Sequence, residues 1–330
     1  MRRRLRQLLR GPRALLIAAA TLALFLLAAL GADLLASSLP LACRIGDRLH
    51  LLPALTRPAE LVGEDNQSLA RKAAAAGGFV LAPPVAYGPL ESRADGRLTI
   101  LAAPSLDHPL GTDDVGRDVL ARLIHAGRAA FAVGLGSMAI AALIGVLLGA
   151  LGAYFGGLAD RINLRLIEAA SSFPALVLVL AVQGLAGATS LFQLTLIIAL
   201  TRFPDIARIT RGEVLRVGNE DFVGAARALG LGHLAILRRH VLPHARGPVL
   251  VACFTGIADA ILIEATLSFL GFGAPPPTPT FGQLVTDAFL VEGRFWLVLF
   301  PALALLVTVT CINLVGEGLR EALDPGPGRR

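Results

Sequence analysis

The residues that could do chemistry in this sequence lie inside its most apolar stretches: Glu168, Arg202, Asp205, Asp259 and Glu264, with Glu317 near the end of the last one. Ionisable groups in such surroundings are expensive to keep and are functional candidates by default. Asp259 and Glu264 are five positions apart. On a helix they do not share a face and do not form a carboxylate pair for acid–base work. His233, His240 and His244 fall at intervals of seven and four along one stripe. Pro243 interrupts that stripe and no carboxylate accompanies it, so no metal site is expected. Gly134-Leu135-Gly136-Ser137-Met138 has the outline of a serine nucleophile turn, but no histidine lies in a later span to activate the hydroxyl. Lys72, the single lysine, sits between Arg71 and Ala73 and not in a glycine-lysine-serine loop, so the chain is not its own P-loop ATPase. Cys43, Cys253 and Cys311 have no close spacing and read as small buried hydrophobes. What remains is transport or contact chemistry. Glu168, Pro174, Asp259 and Glu264 are candidates for a pathway lining or an inter-subunit contact; a hydrogen-bonded contact between helices is the plainer account of Glu264.

The elements that must hold these groups are membrane spans. Of 330 residues, 55% are hydrophobic and 16% charged, and the mean hydropathy is +0.69. That balance is typical of a polytopic membrane protein. The net charge of +6 comes almost wholly from arginines beside apolar runs. This placement fits orientation in a membrane better than nucleic-acid binding. Met1 to Arg13 holds six arginines and no acid, followed by an apolar run from Ala14 to about Ala36. The run is longer than a signal-peptide core, so an uncleaved first span with a cytoplasmic N-terminus is expected, cleavage after the small residues near Ser37 being the alternative.

Residues 37–109 change to mixed charge with many prolines and glycines, and read as an extracytoplasmic insert with one helix near Ser68–Ala76. Between His108 and Arg128, Asp113 or Asp114 is positioned to cap a helix lying along the membrane surface. Its residues Val115, Val119, Leu120, Leu123 and Ile124 form an apolar face, and Arg117, Asp118 and Arg122 turn toward water or headgroups. Ion pairing of those aspartates with Arg117 is preferred to a cation site. The second span, Ala129–Phe155, carries small-residue spacings at Gly145/Gly149 and Gly152/Gly156 that permit close helix approach. A short loop with Arg161 and Arg165 follows. The third span, 164–185, is broken by Pro174; the fourth is 191–209, the fifth 248–270 and the sixth 295–315. The expected fold is all-α with six spans and both termini cytoplasmic.

Asn219 to Pro243 is too polar to cross a bilayer and too well patterned to be slack. Asn219 can cap a helix from about Glu220 to Leu229, Asp221 suits its first turn, and Gly230 can end it. A second helix is expected over 233–241, stopped by Pro243. The pair looks like a docking knob for another protein. Phe222 to Gly230 followed by Leu242-Pro243 resembles the cytoplasmic "EAA" loop of binding-protein-dependent ABC importer permeases, closest to the dipeptide and oligopeptide branch. Gly224 stands where that family has its glutamate. Gly111-Thr112-Asp113-Asp114-Val115-Gly116-Arg117-Asp118, Leu267 to Gly273 with the following prolines, and Asn313 to Arg320 are similar to the same branch. Cys43 to His50 and Pro83 to Tyr87 resemble the insert of its oligopeptide and microcin-C subgroup.

The resemblance implies a type I ABC importer permease divided into a first span (1–36), an insert (37–109) and a permease domain (110–330) with a coupling loop over 210–246. It implies ATPase docking through Asp221, Phe222, Gly224, Ala225, Ala226, Leu229, Gly230, Leu234, Ile236, Leu237 and Pro243. The implied partners are a second permease subunit, two ATPase subunits that carry ATP and magnesium, an external substrate-binding protein and inner-membrane lipid; this chain would bind no cofactor. Peptides are the expected cargo. Nickel or another small solute is the alternative cargo, and a proton-coupled secondary transporter using Asp205, Asp259 and Glu264 is the alternative mechanism. For the insert, a packing lid without a ligand is an equal reading.

Overall fold

A computed structural model describes residues 12–92, 100–186, 190–289, 291 and 293–323. The arginines of 1–11 and Arg329 and Arg330, which carry the expectation about the termini, lie outside the described residues.

The chain is mainly helical. Helix α1 (Pro12–Leu30) starts on a proline, whose missing N–H is no loss in a first turn. Residues Arg13–Leu30 have a mean hydropathy of 2.3, enough to cross a bilayer's hydrocarbon core. A short α2 (Ala32–Leu35) leads into the insert. There β1 (Ala42–Ile45), β2 (Arg48–Leu51) and β3 (Phe79–Leu81) form an antiparallel sheet in the order β2-β1-β3, with α3 (Pro53–Thr56) and α4 (Asn66–Ala75) between β2 and β3. The register places Cys43 opposite His50 and Val80. Cys43, Leu61 and Leu69 are its buried core, with Leu39, Ile45 and Val80 packed against them. Burial pushes the Cys43 thiol up from its ordinary value. Helix α4 opens on a reciprocal cap: Ser68 N–H donates to Asp65 Oδ1 (2.6 Å) and Asp65 N–H donates to Ser68 Oγ (3.0 Å). The expected helix is present here, shifted by two residues at its start; the sheet is an addition to the all-α reading. Strands of three or four residues are too short to print an alternation.

Helix α5 (Val119–Phe155) is one continuous element of 37 residues. This corrects the expected surface helix before the second span. Its cap is Asp118, whose Oδ1 accepts from Ala121 N–H at 2.8 Å, and not Asp113 or Asp114. Asp113 is instead used by Arg117 (Nε to Oδ2, 2.7 Å) and by Arg122 (2.6 Å). Arg122, expected to face water, is 2% exposed and also donates to Asp287 at 3.0 Å. Burial is tolerable because the guanidinium meets two carboxylates.

The next helices are α6 (Gly157–Ser171), α7 (Ala175–Ala186) and α8 (Leu191–Gly218). Arg161 and Arg165 lie on α6, so the expected loop after Phe155 reduces to a glycine turn, with Gly156 at φ +66°. α6 and α7 are bent by 77° at the break that contains Pro174. α8 packs on the small-residue face of α5: a Cβ at Gly145 would lie 2.8 Å from Ile206, and one at Gly149 2.5 Å from Ala207 O. The chain continues through α9 (Asp221–Ala228), α10 (His233–Ile236), α11 (Leu242–Phe269), α12 (Phe281–Phe289) and α13 (Phe295–Leu323).

Among the described residues four helices are long and apolar enough to cross a membrane: Arg13–Leu30, Val119–Phe155, His233–Phe269 and Phe295–Leu323. The bent α6–α7 pair makes a fifth if it counts as one span. α8, expected as another, has 28 residues, but its apolar half gives way after Thr201 to paired charges. Cα proximity groups residues 1–22, 132–264 and 308–330 in one compact unit, and 23–131 and 265–307 in another.

Candidate functional site

The knob between α8 and α11 belongs to the first of these units. Glu220 is the extended residue before α9; Asn219, expected to cap it, closes α8 instead, its Nδ2 donating to Leu215 O at 2.9 Å. Gly230 is at φ +77°. Leu231 N–H reaches back to Ala226 O (3.2 Å) and Gly230 N–H to Arg227 O (3.0 Å), the paired bonds of a left-handed helix stop. Gly232 then starts α10.

Pro243 does not stop the second helix, as the sequence led us to expect. The segment Leu237–Val241 is a π turn, with Leu242 N–H bonded five residues back to Leu237 O, and helix continues from His233 to Phe269. A proline clashes with the carbonyl four residues earlier and offers no N–H; the wider turn just before it relieves both problems.

The eleven expected docking residues separate into two groups. Ala226, Ile236 and Leu237 are buried, in one cluster with Val223, Val241 and Ala245 and with Ala150, Ala153, Val214 and Val217 of α5 and α8. They are the root of the knob. Asp221, Phe222, Gly224, Ala225, Leu229, Gly230, Leu234 and Pro243 are exposed, with Leu229 at 82% and Leu234 at 68%. A Cβ at Gly224 would meet nothing within 4 Å, so the family's glutamate would be accommodated without a clash. Val223 and Val241, which the sequence places at the apolar helical spacing of this loop, are root residues that were not among the expected docking residues. Tyr154 was also missed. Its ring lies 6.0 Å from that of His233 and beneath the Arg227 guanidinium (5.9 Å), bracing the elbow against the end of α5. His244 donates from Nδ1 to His240 O at 2.6 Å and stacks near Phe222 (4.8 Å). Of the three histidines, His244 thus bonds a backbone carbonyl and His233 packs on Tyr154, and the described residues hold no cluster of metal-ligating groups.

The pathway candidates are dispersed. Glu168 is exposed on α6 and paired with Arg165 at 3.1 Å, and Pro174 is exposed at the α6–α7 break. Glu264 is fully buried, whereas Asp259 is 53% exposed and lies 3.3 Å from Arg202 of α8. The structure confirms that Asp259 and Glu264 do not share a face. Asp160 of α6 holds Arg211 of α8 through two 2.7 Å bonds, fixing the two helices to each other.

Residues 141–329 match the model of the family described as binding-protein-dependent transport system inner membrane component. The chain is 37% identical to the di/tripeptide transport system permease protein DppC of Pseudomonas aeruginosa, over 83% of this chain and 94% of that protein. It is 36% identical to a dipeptide transport system permease of Haemophilus influenzae over 74% of this chain and 85% of the relative. A solved structure titled as the inward-facing MetNI methionine ABC transporter aligns with a TM-score of 0.53 at 18% identity, covering 62% of this chain and 97% of that one. This last likeness concerns the fold, which is the type I permease fold.

Proposed function

The chain belongs to the family of binding-protein-dependent transport system inner membrane components, and from that premise we propose that it forms one half of the membrane pathway of an ATP-driven peptide importer. The knob is its coupling element. One observation carries the reading: the knob's root is built into α5, α8 and α11 while Leu229 and Leu234 are left bare. Burying a leucine side chain contributes about 1.5–3 kcal/mol. Two such side chains on a rigid support are a reason to bind another protein, and peptide cargo follows from the named relatives.

In this reading two separate ATPase subunits, which carry ATP and magnesium, receive the exposed face of α9 and α10 in the cytoplasm. A second permease subunit completes the pathway, an external binding protein delivers the peptide on the side of the insert, and both termini are cytoplasmic. ATP-driven closure of the ATPase pair changes the affinity of the groove for the knob. A conformational change needs such differential contact. Because the root shares its core with spanning helices, displacement of the knob displaces those helices.

Copurification tests the reading. Leu229→Glu and Leu234→Glu lie on the exposed face and should leave thermal unfolding of the detergent-solubilised chain unchanged while abolishing retention of the ATPase subunits. A wild-type chain that retains no ATPase, or variants that retain it equally, would refute the assignment.

A further inference from the structure

Four charged residues of the first compact unit lie together on two helices, one of which, α11, is within a stretch apolar enough to cross a membrane. Arg202, Asp205 and Arg208 follow one another at intervals of three on α8, and Asp259 is on α11. Arg202 bridges the helices, 3.3 Å from Asp259 and 3.8 Å from Asp205; Arg208 is 3.0 Å from Asp205 and also donates to Ser171 Oγ. Asp259 stands ten residues before the end of α11, about 15 Å along the helix, which is half the thickness of a hydrocarbon core. Arg202 stands eleven residues into α8.

The exposure of these groups decides between readings. Asp205 and Asp259 are 54% and 53% exposed and Arg208 is 49% exposed. Intramembrane charges do not face lipid; they face a water-filled cavity or another subunit. The cluster is also complete in itself, with two guanidinium groups against two carboxylates, so it requires no counter-charge from a partner chain. Asp205 faces an arginine with each oxygen, Arg208 at 3.0 Å and Arg202 at 3.8 Å, whereas Asp259 meets Arg202 through Oδ2 and is otherwise exposed. A pathway for a metal cation would carry an excess of carboxylates, and one for an anion an excess of arginines. Equal numbers of both, with Arg208 and the two aspartates about half exposed and Arg202 largely covered at 22%, suit a solute that bears both charges.

We propose that Arg202, Asp205, Arg208 and Asp259 form a zwitterion-contacting station in the translocation pathway, where the two aspartates take the ammonium group of a free peptide and the arginines its carboxylate. The inference rests on the peptide-importer reading and names the part of the cargo this chain recognises. The α8–α11 ion pair opens to admit the solute's charges and closes behind it, exchanging one set of charge-assisted hydrogen bonds for another. The station would also disfavour peptides whose termini are blocked.

The test uses the whole importer in proteoliposomes with its binding protein. Uptake of a free dipeptide and of its N-acetylated form is compared between wild type, Asp259→Asn and Asp205→Asn, using the ratio of variant to wild type for each peptide so that selection by the binding protein cancels. Loss of one charge-assisted contact should lower free-peptide uptake about tenfold and leave the small uptake of the blocked peptide nearly unchanged. In parallel, Asp259→Cys, with the three native cysteines replaced by alanine, should react with a membrane-impermeant thiol reagent and be protected by saturating dipeptide. Normal free-peptide uptake by both asparagine variants would overturn the station while leaving the peptide reading intact. So would a cysteine at 259 that reacts only when the second permease subunit is removed, which would make the cluster a subunit contact. A wild-type importer that hydrolyses ATP and moves no peptide would instead sink the peptide reading, and this inference with it.

Discussion

The knob and the insert are both small amphipathic units outside the apolar spans, but they are held in opposite ways. The knob has no core of its own. Its buried residues Val223, Ala226, Ile236 and Leu237 interlock with Ala150 and Ala153 of α5 and with Val214 and Val217 of α8. The insert encloses Cys43, Leu61 and Leu69 between its own strands and helices. A part whose core is shared moves only with what it shares it with; a part with a private core can loosen or tilt alone. The first arrangement suits transmission of force. The second suits a surface that adapts to what arrives.

Several substitutions would break or sharpen this contrast. The largest effect is expected from Ala226→Asp, which places a carboxylate in the shared core without a partner, at a cost of about 3–5 kcal/mol. Hydrogen exchange should accelerate in α9 and also in the adjoining turns of α5 and α8, and ATPase retention should fall as a consequence. Acceleration confined to α9 would show that the knob is not rooted.

Ile236→Ala and Leu69→Ala compare the two cores directly, because both side chains are fully buried and each deletion costs about 2–5 kcal/mol. The first should lower the thermal midpoint of the helical bundle. The second should leave that midpoint in place and release exchange protection only within the insert. Equal effects on the bundle would remove the distinction.

A smaller effect, about 1–2 kcal/mol, is expected from Gly230→Ala, since any side chain at φ +77° is strained. The structure offers open space around that position, so the strain is in the backbone alone. Limited proteolysis between α9 and α10 should report it as faster cleavage.

The smallest effect is a pH dependence in the insert. Hydrogen bonds from Lys72 and then Ser68 hold the Glu64 carboxyl below its ordinary value. A depressed carboxylate contributes stability that is fully present above its unfolded value of about 4.3 and is lost as pH falls through the lower folded value. Exchange protection of α4 should therefore decline on acidification below that unfolded value in wild type and stay flat in Glu64→Gln, with no change in the knob at either pH.

Much of this organisation was legible in the linear chain. A bilayer demands long apolar runs, so the spans were visible, as were the break at Pro174 and the close-packing glycines on α5. Gly230 marked the end of α9 because a left-handed stop has few alternatives to glycine. Other positions misled for a common reason. Pro243 predicted a stop because sequence rules describe α geometry, and the π turn that accommodates it lies outside those rules. Arg122 looked like a surface charge because its partner Asp287 is 165 residues away. The three strands of the insert were too short to leave a period.

By itself, then, the sequence determined where the long apolar helices must lie, the absence of a P-loop and the type of loop that follows α8, since these depend on local composition and backbone preference. Tertiary structure alone decided which side of the knob is root and which is face, which charges are buried, and that Arg202 meets Asp259 across two helices. Those outcomes depend on which distant residues come into contact, and spacing along one helix carries no record of what packs against it.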